Sequence, residues 1–213
     1  VEKDLEKAFH WYKVSASQDQ PYAAYAVAGF YIQGDTIKKN EEIAEKYYKQ
    51  ALSGFLKLEE KDQADDNLFY KIGSMYKNGL GTRVDMVKAI EYFKLSAELN
   101  NKNGLYEYGK ALLMGEHIEQ DIPQALKCLE KAINLENTNA KRFLALEYIS
   151  GDHMEQNIEK GITMLTELAD SGDAFAAYRL GKLYLTGEKY DLDKAVHWLE
   201  MAVNQDNEFA KYM

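Results

Sequence analysis

The chain has 213 residues, enough for one domain or a short array of repeats. Hydrophobic residues make up 46% and charged residues 29%, a composition that folds and excludes a disordered chain. The net charge is -9, with 26 Lys and Arg against 35 Asp and Glu, which argues against direct binding to a nucleic-acid backbone or an anionic membrane surface, both of which require a basic stripe.

Only two prolines occur, Pro21 and Pro123, so helix can run along most of the chain. No apolar run approaches the roughly 18 residues of a membrane span. No basic stretch followed by an apolar one opens the chain, and a start at Val1 reads as a cut. One cysteine, Cys128, excludes an internal disulfide and leaves the compartment open; the cytoplasm is expected, with secretion or the periplasm as alternatives.

The first predicted element is a helix from Asp4 to about Gln18. Asp4 is a good N-cap, Ala8 is a small residue four positions on, and Trp11 follows three later. This pattern, cap, small, bulky, is called helix B. The next element is built differently: Val27, then Ala28, then Tyr31, then Gly34. Offsets of -1, 0 and +3 share one helix face, and the small residue lets a neighbouring helix approach. The glycine at +6 is a helix stop in the left-handed conformation. This is helix A.

The two patterns then alternate. Asn40, Ala44 and Tyr47 give helix B, followed by an insertion of nine residues within 53–66, through which the helix runs long past Leu56 and Leu58. Ile72, Gly73, Tyr76 and Gly79 give helix A; Asp85, Ala89 and Tyr92 give helix B. Tyr108, Gly109, Leu112 and Gly115 are followed by Asp121, Ala125 and Cys128. Leu144, Ala145, Tyr148 and Gly151 are followed by Asn157, Gly161 and Met164. Leu180, Gly181, Tyr184 and Gly187 are followed by Asp191, Ala195 and Trp198. The small residues of helix A are spaced 45, 36, 36 and 36 apart.

A lone helix pair cannot bury its apolar face, whereas stacked pairs share a core. The expected fold is therefore all-α: an α-solenoid, wound as a right-handed superhelix, of about five antiparallel helix pairs with half-repeats at both ends. The expected array is 1–20 (helix B of a truncated repeat), 21–66 (with the insertion), 67–102, 103–138, 139–173, 174–207, and 208–213 as the start of a further repeat. Phe209-Ala210-Lys211-Tyr212 echoes Phe175-Ala176-Ala177-Tyr178, so both ends fall inside a repeat and a longer natural protein is expected.

The run Ala177-Tyr178-Arg179-Leu180-Gly181-Lys182-Leu183-Tyr184, with Gly187, Asp191, Lys194-Ala195, Trp198 and Ala202, resembles the Sel-one-like repeat pattern. So does Gly73, Tyr76, Gly79-Leu80-Gly81, Asp85, Lys88-Ala89. That family lies within the tetratricopeptide-like helical repeats, whose units are usually of 34 residues. Ala28 and Ala145 depart from the glycine of helix A, and Gly161 from the alanine of helix B. The resemblance implies an adaptor that binds protein or peptide partners. The alternative it suggests is an accessory region of a larger enzyme, such as a relaxase-type DNA transfer protein of a bacterial mobile element.

Chemical motifs are thin. Gly79-Leu80-Gly81 lacks the Gly-Lys-Ser/Thr of a phosphate loop and reads as a helix stop and turn. His10, His117, His153 and His197 form no ligand pair, and Cys128 stands where other repeats place Trp, as a packed core residue. No catalytic residue, metal or cofactor is expected. Partner contacts are expected on the concave side, which the A helices line in related solenoids: Tyr25, Tyr70, Lys77, Tyr106, Lys110, Arg142, Ile149, Tyr178 and Lys182. The tyrosines are open to either reading, a wedge between helices or a partner contact. Arg142 breaks their series and reads as binding. The acidic stretch from Glu59 to Asp66 is a second candidate surface, or a solvated helix end.

Overall fold

The computed structural model describes residues 4–186, 189–205, 207 and 210. Among them are eleven helices and no strand. In chain order these are α1 (Leu5–Ala16), α2 (Pro21–Gln33), α3 (Glu41–Glu60), α4 (Asp66–Asn78), α5 (Met86–Glu98), α6 (Lys102–Met114), α7 (Ile122–Asn134), α8 (Thr138–Ser150), α9 (Ile158–Asp170), α10 (Ala174–Thr186) and α11 (Leu192–Asn204). The expected stop at Gly187 lies outside the described residues, as does the expected further start at 208–213 apart from Ala210.

Each B helix begins on the residue that the sequence nominates. Asp4, Asn40, Asp85, Asp121, Asn157 and Asp191 each accept the backbone N–H three residues on, satisfying a first-turn donor that the helix leaves orphaned. The A helices α2, α4 and α8 end on left-handed glycines, Gly34, Gly79 and Gly151. At Gly79, φ is 67°, and the N–H groups of Gly79 and Leu80 both return to the Met75 carbonyl. A side chain there would strain the backbone and also meet Val84 Cγ2 at 3.1 Å.

The small residues in the middle of the A helices are explained by contact. A Cβ on Gly73 would sit 2.8 Å from the Phe93 ring, one on Gly109 3.0 Å from Leu129 Cγ, and one on Gly181 2.6 Å from Leu199 Cγ. The helix pair closes over these points. Gly161, the exception among the B helices, obeys the same rule: a Cβ there would meet Ile149 Cγ1 at 2.5 Å.

The chain divides into two compact units, residues 1–108 and 109–213, with the division inside α6. In the first, α1 packs on α2, α2 on α3, α3 on α4 and α4 on α5. Its fully buried side chains include Val27, Phe55, Leu68, Ile72, Met75 and Phe93. In the second, α7 packs on α8, α8 on α9, α9 on α10 and α10 on α11. Leu144, Leu165 and Leu180 are fully buried there. Each such leucine contributes roughly 1.5–3 kcal/mol. The insertion lengthens α3 to 20 residues against 13 in the other B helices from α5 onward.

The starts of the A helices carry a device absent from the expectation. Asp65, Asn101, Asn137 and Asp173, 36 residues apart, cap α4, α6, α8 and α10. The last three are buried. Asn101 Oδ1 accepts the N–H of Asn103 and Gly104, while its Nδ2 donates to Asp66 Oδ2 at 3.0 Å and Asn67 Oδ1 at 3.1 Å. One side chain thus starts its own helix and holds the start of α4.

Candidate functional site

In the first unit, the A helices α2, α4 and α6 bring Tyr25, Tyr70 and Tyr106 into one row, each partly exposed. Tyr25 packs edge-on against Tyr48 with centroids 5.4 Å apart, and Tyr70 lies 5.9 Å from Phe93. So the rings of Tyr25 and Tyr70 are partly packed and partly exposed. Burial pushes the phenols of all three up; Tyr25 is raised further by its neighbour Tyr70, Tyr70 by the Glu107 carboxylate, and Tyr106 by Glu107 and Tyr70. These groups therefore lie close enough to sense one another. Lys77 joins them: its Nζ donates to both carboxylate oxygens of Glu107, at 2.8 and 2.7 Å, tying α4 to α6.

Lys71 stands among these rings and escaped the sequence reading. Its Nζ lies 4.5 Å from the centroid of Tyr25 and 6.0 Å from that of Tyr22. A cation over a ring face is attracted by the ring quadrupole. Burial lowers the pKa of this amine.

In the second unit the expected residues divide between structural ties and open surface. Arg142 Nε donates to Asp173 Oδ2 at 2.6 Å, and its guanidinium lies 5.7 Å from the Phe175 ring. Asp173 is 7% exposed, and its other oxygen accepts the Ala176 N–H. Arg142 therefore neutralises a buried carboxylate, which explains its departure from the tyrosine series. Lys110 lies 5.6 Å from the Phe143 ring. Tyr178 is packed against the core of α8–α11. Ile149 and Lys182 meet at a cavity of about 180 Å³, lined also by Leu146, Leu165, Arg179, Leu183 and Thr186. Arg179, Leu165 and Leu183 were not singled out from sequence, because only the packing of α8, α9 and α10 brings them together.

The acidic stretch from the end of α3 to the start of α4 is used within the chain. Glu59 Oε2 accepts the Tyr92 hydroxyl at 2.8 Å, Asp65 caps α4, and Asp66 accepts Asn101 through its carboxylate and Ser96 Oγ through its carbonyl. Cys128 is buried in α7, and that burial pushes its thiol up. Among the described residues no group of three or more His, Cys, Asp or Glu side chains converges.

The helix pairs, left-handed stops and 36-residue caps agree with the comparison to known families, in which the Sel1 repeat matches residues 1–20, 21–54, 70–101, 103–137, 138–173 and 174–207. The chain belongs to the Sel1 repeat family. Solved structures share its α-solenoid fold. A Sel1 repeat protein from Oxalobacter formigenes aligns at 23% identity with a TM-score of 0.64, covering 92% of this chain and 75% of that one. A protective antigen of uropathogenic Escherichia coli strains, displaying an SLR fold, aligns at 19% identity and TM-score 0.61, covering 97% of this chain and 43% of its own. A sel1 repeat protein from Klebsiella pneumoniae aligns at 18% identity and TM-score 0.58, covering 96% of each. A search of the curated proteins finds no match. Sel1 repeats are typically protein–protein interaction modules and generally non-catalytic scaffolds. No helix among the described residues is long and apolar enough to cross a membrane.

Proposed function

We propose that this Sel1 repeat chain acts by binding a protein or peptide partner along its A-helix faces, and not by catalysis. The observation that supports this most is the row of Tyr25, Tyr70 and Tyr106, kept partly exposed, with Tyr70 and Tyr106 near the Glu107 carboxylate that Lys77 holds. Partly exposed aromatics with a rigid backing are the side chains that carry binding energy at interfaces. Lys77 belongs to this proposed surface in the first unit; in the second, Lys110, Ile149, Tyr178 and Lys182 form a proposed surface of their own. Arg142 contributes chiefly by holding Asp173.

The test is a photo-crosslinking side chain placed at Tyr70 in the full chain. A discrete protein adduct is expected in a lysate of the source cells. Tyr106→Ala should lower its yield several-fold with helicity unchanged. Crosslinks scattered over many proteins, or a yield indifferent to Tyr106→Ala, would overturn the reading. Arg142→Glu is a poorer probe, because it would strand a buried carboxylate. No feature of the described residues favours an accessory role beside a catalytic domain.

A further inference from the structure

The cavity between α8, α9 and α10 combines two properties. Its walls are apolar, from Leu146, Ile149, Leu165 and Leu183. Two cations, Arg179 and Lys182, stand on the same wall, three residues apart on α10 and so on neighbouring positions of one helix face. Elsewhere in the molecule Lys77, Lys141, Arg142 and Lys189 each hold a carboxylate. Among the described residues, Arg179 and Lys182 hold none. Thr186 adds no free donor, since its hydroxyl is engaged by the Lys182 carbonyl at 2.9 Å. In a chain of net charge -9, the lining of this apolar recess holds two uncommitted cations and no carboxylate.

We infer that this cavity receives the C-terminal residue of a partner peptide, an aliphatic side chain entering among Leu146, Ile149, Leu165 and Leu183 while its terminal carboxylate is held by Arg179 and Lys182. The inference deepens the interaction reading above and rests on it. Size selects the occupant. The volume of about 180 Å³ is below the roughly 300–1,000 Å³ of small-molecule sites and suits a single side chain. A long acyl chain would not fit. Charge complementarity selects the terminus: a C-terminal residue carries its carboxylate and its side chain on one carbon, so both reach a recess and a rim only one helix turn apart. An internal acidic residue carries its apolar neighbour on a separate residue. Arginine adds a planar fork that matches a carboxylate with two parallel hydrogen bonds.

Gly161 lets Ile149, one of the lining residues, lie close against α9. Every other B helix carries alanine at this position, and here the missing Cβ is replaced by Ile149, whose Cγ1 would otherwise meet it at 2.5 Å. Ile149 thus lies back onto α9 and becomes a wall.

The experiment is a methyl NMR titration of the full chain with the blocked hexapeptide Ser-Gly-Ser-Gly-Ser-Leu bearing a free C-terminus. The same peptide as the amide, and one ending in Gly, serve as controls. The free acid is expected to shift the methyl signals of Leu146, Ile149 and Leu183. The amide and the Gly-ended peptide are expected to bind at least about tenfold more weakly. Arg179→Gln with Lys182→Gln should remove the preference for acid over amide while the Tm and helicity hold. If the pair of substitutions lowers the Tm, Lys182→Gln alone, at an exposed position, should narrow the preference. Equal binding of acid and amide, absence of shifts at millimolar peptide, or an unaltered preference in the variants would each overturn the assignment. Persistence of the Tyr70 crosslink under those outcomes would leave the broader interaction reading standing. Peptide binding without any crosslink would support the cavity and overturn only the row of Tyr25, Tyr70 and Tyr106 as a contact surface.

Discussion

Asp85 shows how much of this molecule is settled by a single side chain acting on its own neighbourhood. Its Oδ1 accepts the Lys88 N–H at 3.0 Å and starts α5. Asp85→Ala should cost about 1 kcal/mol, read as a lowered midpoint in urea with an unchanged slope. Caps and glycine stops of this kind are legible in sequence because the chemistry is local: the residue and the N–H it satisfies are three positions apart. The capping residues Asn101, Asn137 and Asp173 carry the same local signal in their 36-residue spacing. Less legible were the ends of the B helices. Asp19, Asp62, Asn100 and Glu136 turn the chain with φ between 56° and 66°. Asp and Asn tolerate that region, but nothing in the residue type requires it, and Glu136 gives no hint at all.

At the scale of the element, the long α3 is the clearest departure from the common unit. Its end is anchored by the Tyr92 hydroxyl, which donates to Glu59. Burial and that carboxylate push the Tyr92 phenol well above its ordinary value of 10.0. A folded-state pKa above the unfolded one means that the folded chain retains the proton longer. The stabilisation is therefore complete below about pH 10 and is lost as pH rises towards the folded value. The unfolding midpoint should fall steeply above pH 10, and Tyr92→Phe should flatten that fall while lowering stability at pH 7 by about 1.5–3 kcal/mol, the usual cost of a hydrogen bond to a charged group. A pH series of urea melts on the two proteins measures both. The lengthening of this helix could be read from the 45-residue interval. Its clasp on Tyr92 could not, because the two residues are 33 apart and only the packing of α3 and α5 relates them. The cavity on α10 was half-legible for the same reason. Ile149 and Lys182 follow from helix offsets, whereas their meeting with Leu165 and Arg179 depends on three helices at once.

At the scale of the whole molecule, a linear array spreads its stability over neighbouring contacts and has no single core. Leu180 is fully buried in the second unit. Leu180→Ala should cost about 2–5 kcal/mol. Its signature in hydrogen exchange should be local, with protection lost across α9, α10 and α11 and largely retained in α2 to α5. Uniform loss along the chain would instead indicate one cooperative body.

The clasps at the starts of the A helices differ in chemistry, and that difference has a consequence for shuffling. At one seam the amide of Asn101 grips Asp66 and Asn67; at another the guanidinium of Arg142 grips the carboxylate of Asp173. Although the units share a length, they are keyed. Transplanting the segment that holds Asp173 behind a neighbour offering tyrosine in place of Arg142 would leave a sequestered anion with nothing to balance it. Repeat order is thereby written into side-chain polarity, and any rearranged array must carry lock and key together.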